Sequence, residues 1–233
     1  NRGACSQPCR LAWDLTDGRG RTYIAGKHLL SVRDMNLSHR IGDLLDAGVT
    51  SFKIEGRLKD TNYIKNVVAY YRRAVDEALA VRPGFVRSSA GESVPDFTPD
   101  PSKSFTRGES EYFFAGKRPG VASFDTPKAV GEYVGRVAKV FGNGFTLLGE
   151  AELAPGDGIC FITPHGVTGT NVNAAEGRRI VPNRMEGIVA GAEVYRNSDR
   201  LFNLRLERSR TRRVIPATAV AEVSAEGFAI TYT

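Results

Sequence analysis

Two of the chain's three cysteines, Cys5 and Cys9, stand four residues apart between Arg2 and Arg10. A thiolate beside a guanidinium is favoured in its ionised form, the form that binds soft metals or attacks electrophiles. This corner therefore reads as reactive or metal-binding, with two ordinary thiols near a terminus as the plainer alternative. A second concentration of chemistry is Ser51-Phe52-Lys53-Ile54-Glu55-Gly56-Arg57. On a strand, period-two geometry sends Lys53 and Glu55 to one face and Phe52 and Ile54 to the other. Helix-covered parallel sheets are normally apolar on both faces, so a charged pair near the carboxyl end of such a strand reads as a site. Lys53, Glu55 and Arg57 are the candidate catalytic residues, and Arg57 and Lys59 offer phosphate or carboxylate contacts. The alternative is a buried Lys–Glu pair that holds the sheet, an arrangement whose desolvation cost rivals its attraction. Ser31, Arg33 and Asp34 could face the same cavity, although Asp34 equally suits a helix start. Arg208, Arg210, Arg212 and Arg213 form a basic run after a predicted strand. They are the candidate nucleic-acid contacts, or else a solvated edge that resists aggregation. Cys160, alone in an apolar run, reads as a buried structural thiol.

The elements that must position these groups change character along the chain. His28 to Val32 reads as a short buried strand, and Leu37, Ile41, Leu44 and Leu45 recur at helical spacing from about Asn36 to Ala47, with Gly48 as a left-handed cap. Val49 to Ile54 reads as a second strand and Asp60 to Ala80 as a long amphipathic helix stopped by Pro83-Gly84. Strand, helix, strand, helix is the βαβα unit of a parallel sheet, too small to close a barrel by itself. Residues 88–126 read as an irregular connector whose aromatics, Phe105, Tyr112, Phe113 and Phe114, anchor it to a neighbour. Beyond it come short strands with turn signals: Tyr133 to Val140, Phe145 to Leu148, Gly158 to Thr163, Glu193 to Arg196, Leu201 to Leu206 and Phe228 to Tyr232. They predict an all-β module, a small barrel, over residues 127–233. Leu153 to Ile159 and Ile188 to Val194 resemble each other, each opening a strand after a glycine turn.

Composition narrows the function classes. With 41% apolar residues in 233, the chain can bury one large or two small cores. No apolar run reaches the length of a membrane span, and the start lacks the order of a secretory signal, so a cytoplasmic protein without a membrane partner is expected. The first residue is Asn1, which reads as an internal fragment of a longer protein. Residues 1–87 carry 15 Lys and Arg against 9 Asp and Glu, whereas residues 88–233 carry 17 against 17. A positive field confined to the first segment suits a polyanionic partner. Zinc-protease, nucleophile-elbow and P-loop patterns are absent from the sequence.

Asn1-Arg-Gly-Ala-Cys5-Ser-Gln-Pro-Cys9-Arg10, Leu30-Ser31 and Ser51-Phe-Lys-Ile-Glu-Gly-Arg57, in that order, resemble the collagenase-like peptidase family U-32. Asp125-Thr-Pro-Lys128 to Gly131-Glu-Tyr-Val-Gly135 is similar to the β-rich extension of that family's long members. The resemblance implies that residues 1–87 are the C-terminal part of an α/β (TIM-like) barrel. It implies RNA base hydroxylation, on ribosomal or transfer RNA, with an iron-sulfur cluster in the full-length parent and Cys5 and Cys9 among its ligands. Four thiolates are the usual requirement, so this chain alone is expected to hold none. The alternatives are a peptidase acting on a protein or peptide substrate, and a non-catalytic binding module.

Overall fold

The computed structural model describes residues 5–56, 58–163, 166–225 and 227–233. Its first part opens with an antiparallel hairpin, β1 (Trp13–Thr16) and β2 (Thr22–Lys27). A two-residue strand β3 (Asp34–Met35) follows, then a 3-10 turn at Ser38–Arg40 that runs into α1 (Ile41–Asp46). Gly48, at φ 88°, ends this turn in the left-handed region expected of it, its N–H bonded to the Leu45 carbonyl at 2.8 Å.

The 20-residue α2 (Thr61–Ala80) matches its predicted span, because Asp60 caps it by accepting the Tyr63 N–H at 2.7 Å. The two predicted strands around it do not form. Residues 28–31 make a turn, with the Ser31 N–H on the His28 carbonyl, and Val32 has a single bridge to Ala122. Residues 49–56 carry no strand, and no described segment pairs with them. The expected βαβα sheet is thus not formed among the described residues, which leaves the TIM-like portion unconfirmed. The parallel pairing described is limited to Asp34 and Met35 against Glu109 and Ser110.

The connector is irregular as expected but pinned. It carries β4 (Glu92–Val94) and β5 (Glu109–Ser110), and its Asp100 backbone grips α2 through Asn66. That side chain is fully buried and satisfied: Nδ2 donates to the Asp100 carbonyl (2.6 Å) and Ser104 Oγ (2.7 Å), while Oδ1 accepts the Asp100 N–H (2.8 Å). Of the four aromatics expected to anchor the connector, Phe105 packs down under Lys59, whereas Tyr112, Phe113 and Phe114 stay partly exposed.

The β module is a closed barrel of β6 (Glu132–Phe141), β7 (Gly144–Leu148), β8 (Gly158–Thr163), β9 (Gly166–Glu176), β10 (Arg179–Pro182) and β11 (Glu193–Ser198). Its order is β10-β7-β6-β11-β8-β9, closed by β9 on β10. Inward-pointing Val134, Val137, Phe145, Leu147, Ile159, Phe161, Val172, Ile180 and Val194 fill it, with Phe145 and Phe161 edge to face at 5.7 Å. The two similar segments each contribute a plug, Leu153 and Ile188, ahead of the neighbouring strands β8 and β11.

One predicted strand of this module is a helix. Leu201 to Leu206 lies within α3 (Arg200–Arg208), because Asp199 accepts the Phe202 N–H at 2.9 Å and starts a turn of strong helix formers. Phe202, Leu204 and Leu206 alternate with Asn203 and Arg205, a strand-like pattern, but the cap decided otherwise. Then β12 (Arg212–Val214) pairs with β4, and a terminal hairpin of β13 (Ala219–Ser224) and β14 (Gly227–Tyr232) is exposed along its length. No described helix is long and apolar enough to cross a membrane.

Candidate functional site

Three elements and one irregular segment converge on a cavity of about 370 Å³. From α2 come Tyr63, Val67 and Tyr71, spaced four apart and so stacked on one helix face. β3 adds Asp34 and Met35, α1 adds Ile41 and Leu44, and Ser51 to Glu55 complete the wall. Asp34 does not start a helix. Its Oδ2 accepts the Arg107 N–H at 2.8 Å, with the Arg107 guanidinium 3.8 Å from Oδ1. Asn36 takes the local turn instead, accepting the Ser38 N–H. Tyr71 donates to Asn36 Oδ1 (3.1 Å) and accepts the Leu37 N–H (3.2 Å). Burial pushes the Tyr63 and Tyr71 phenols up, Asp34 adding to the effect at Tyr63, so both stay protonated donors near neutrality.

Lys53 and Glu55 line this cavity together and pair at 3.0 Å, as a same-side placement requires. They are 85% and 61% exposed, so the buried-pair reading is wrong. Among the described residues no strand neighbours segment 49–56. Arg57 lies outside the described residues. Ser31 is buried with its hydroxyl donating to the Thr126 carbonyl, a structural tie rather than a cavity wall. Apolar walls ringed by two phenols, two carboxylates and an ammonium suit a planar polar group whose edge is hydrogen-bonded.

Positive charge gathers next to this cavity. Burial lowers the Lys59 ammonium's pKa, Asp34 opposes that, and Arg107 and Arg10 lower it further. Arg107 Nε is buried and finds no hydrogen-bond acceptor among the described residues. Cys5 is exposed and Cys9 half-buried. Cys160 is buried as expected, its thiol pushed up to about 12 by burial and facing the Val130 carbonyl. No group of three or more His, Cys, Asp or Glu among the described residues is arranged to hold a metal ion. Two thiols do not complete the four-thiolate shell of an iron-sulfur cluster, so the described residues alone do not fit that group.

The first 122 residues match the family model described as Peptidase family U32. The chain belongs to peptidase family U32. It is 40% identical over 190 residues to the 23S rRNA 5-hydroxycytidine C2501 synthase of Escherichia coli (strain K12), covering 79% of this chain and 29% of that protein. It is 37% identical over 92 residues to tRNA hydroxylation protein P1 of Bacillus subtilis (strain 168), covering 37% of this chain and 22% of that one. A collagenase of Porphyromonas gingivalis is 37% identical over 76 residues, covering 33% of this chain and 21% of its own. The chain thus spans under a third of the length of each of these relatives. No solved structure matches it.

Away from the U32 cavity, the predicted arginine run begins at the end of α3 rather than after a strand. Arg208 closes α3 and Arg212 lies on β12, both exposed. The Arg210 N–H is held by Asp96, and Arg213 is spent on the Ala90 carbonyl and Ser89 hydroxyl. Sequence reasoning missed Tyr63 and Tyr71 as wall residues, although their spacing on α2 carried the signal. It also missed Arg107, for which no local signal exists, and Arg196. Arg196, 8% exposed, binds Glu132 at 2.6 Å and lies 3.4 Å from Asp199 and 3.5 Å from Asp157, joining the barrel to α3.

Proposed function

We propose that the full-length U32 protein hydroxylates a base in RNA, with a ribosomal cytidine as the first substrate to test. One observation carries this reading. The likeness to the ribosomal-RNA enzyme runs over 190 residues, which the 122 residues of the family match cannot contain, so it continues into the β module. The collagenase likeness covers a third of the chain. The cavity supports the same reading, since apolar walls with protonated phenols at hydrogen-bonding positions suit a nucleobase. A peptidase has less support. Of the described histidines, His28 faces the Leu11 carbonyl and His39 the Glu111 carboxylate, neither a hydroxyl nor a thiol. In this proposal Lys53 and Glu55 position the base, and Arg57 joins them. Cys5 and Cys9 supply part of an iron-sulfur ligand shell whose other members lie outside the described residues.

The test is nucleoside mass spectrometry of ribosomal and transfer RNA from cells with and without the gene. Loss of a hydroxylated pyrimidine on deletion, restored by the wild type and not by Glu55→Gln, is expected. Unchanged nucleosides in both RNA classes would sink the proposal. Iron and acid-labile sulfide in anaerobically purified protein, lost in Cys5→Ser, tests the ligand assignment separately.

A further inference from the structure

A second cavity, of about 260 Å³, lies where α2, the connector and the barrel meet. Its wall is mostly polar: Lys59, Asp60 and Asn62 from the start of α2, Lys103 and Ser104 from the connector, and Asn197, Ser198 and Asn203 from β11 and α3. Phe105 and Tyr63 supply its aromatic surface, and Tyr63 also lines the larger cavity, so the two adjoin. The cations here differ in one respect. Lys103 is neutralised by Asp199 at 2.8 Å and Glu132 at 3.7 Å. Lys59 has no ion-pair partner within 4.0 Å among the described residues, and it is held above the Phe105 ring, 3.0 Å from its centroid. Asp60 is committed to capping α2.

The backbone here is also strained. Leu58 takes φ 58°, a left-handed conformation that costs a bulky residue energy, yet its side chain is 83% exposed and gains nothing from burial. Such strain without local packing in return marks a corner shaped for another purpose. Here it turns the chain into Lys59. The cavity walls are firm as well: Asn62 Nδ2 donates to the Asn203 carbonyl (3.3 Å) and Lys65 Nζ to the Leu206 carbonyl (2.6 Å), tying α2 to α3.

We propose that this junction cavity is a sugar-phosphate subsite, in which Lys59 takes a backbone phosphate of an RNA strand and the amides of Asn62 and Asn197 meet the ribose hydroxyls. The inference rests on the RNA reading above and deepens it. A phosphate beside the base-sized cavity fixes the strand so that one base enters the U32 cavity and the adjacent backbone crosses the junction. The β module then serves as one wall of the RNA site, consistent with the likeness to the ribosomal-RNA enzyme that continues into it. The arginine run at Arg208 to Arg213 becomes secondary.

The experiment is binding of a fluorescent single-stranded RNA to the protein across a salt series, for wild type, Lys59→Met, Lys59→Arg and Arg212→Ala. Methionine keeps a chain of similar length over Phe105, and thermal melts check that each variant folds. Lys59→Met is expected to weaken binding roughly tenfold and to flatten the slope of log affinity against log salt by about 0.7, one phosphate's share for a single strand. Lys59→Arg should restore both, and Arg212→Ala should change neither by as much. Salt-dependent RNA binding that Lys59→Met leaves unchanged overturns the subsite while the RNA reading stands. Absence of RNA binding by the wild type removes both. Inorganic phosphate alone, followed through the methylated Lys59 resonance, separates a polymer from a free anion. Low-millimolar saturation of that resonance, with RNA affinity unchanged in Lys59→Met, would assign the cavity to a small anion and overturn the RNA subsite.

Discussion

In the barrel, Phe145, Phe161, Ile159, Ile180 and Val194 are fully buried against one another, whereas in the U32 segment Leu30, Ile54, Ile64 and Val68 are 50, 39, 52 and 48% exposed. Both regions follow the same local rules, with apolar residues alternating or recurring at helical spacing. What differs is where the partners are. Every barrel strand finds two neighbours within the chain, and closure leaves no edge. Segment 49–56 finds none among the described residues, so its alternating pattern specifies no ladder and its charged pair stands in solvent. Alternation states which side chains share a face, and only a paired backbone turns that into a strand.

The largest effect that would test this contrast is a truncation at the barrel centre. Phe145→Ala removes a ring that packs edge to face on Phe161, and should cost about 3–5 kcal/mol in urea unfolding. Ile54→Ala in the open segment should cost under about 1 kcal/mol. Equal losses would mean that the segment carries a core of its own. Next comes the charged joint between barrel and α3. Arg196→Met leaves Glu132, Asp157 and Asp199 without their shared cation and should cost about 3 kcal/mol. A neutral result would show that water replaces the guanidinium there.

Legibility followed the same division. The barrel strands at Gly158 and Phe145, the cap at Gly48 and the α2 boundaries were readable because each depends on neighbours close in sequence. The helix at Arg200 was misread because Leu201 to Leu206 satisfies two periods at once, and the deciding Asp199 cap is two residues outside that run. Strand β9 escaped notice since Gly169, Asn171 and Asn173 break the usual strand composition. In the candidate site, Lys53 and Glu55 were legible as a same-side pair, but their exposure was not. Arg107 reaches Asp34 across 73 positions, and Arg196 reaches Glu132 across 64, distances at which no local pattern speaks.

A smaller, pH-dependent effect sharpens the contrast from the barrel side. Burial pushes the Asp199 carboxyl up, but the Lys103 ammonium, the Phe202 N–H and Arg196 outweigh it and hold it below the usual carboxylate range. A carboxylate depressed in the folded state stabilises it above its unfolded pKa, and that contribution fades as pH falls through the folded value. Stability should therefore drop on acidification below the ordinary carboxylate range. Asp199→Asn, which keeps the helix cap, should cost about 2 kcal/mol at neutral pH and flatten the acid limb. An acid limb of undiminished steepness in this variant would place the titrating group elsewhere.

The smallest effect on stability is expected where the proposal expects the largest effect on function. Lys53 and Glu55 make an ion pair at 3.0 Å, but with both side chains mostly in water the attraction is screened and two long chains must be ordered to hold it. Lys53→Met should therefore change the unfolding free energy by no more than about 0.5 kcal/mol. The cavity wall would keep its shape, since Phe52, Ile54 and Tyr63 supply its apolar surface. Under the proposed function, a pair that stabilises so little on the rim of a cavity with two protonated phenols acts on what enters the cavity. The same variant should then abolish RNA modification in cells while melting like the wild type. A loss above 1 kcal/mol would return the pair to a structural role, and full modification by a stable variant would remove Lys53 from the site.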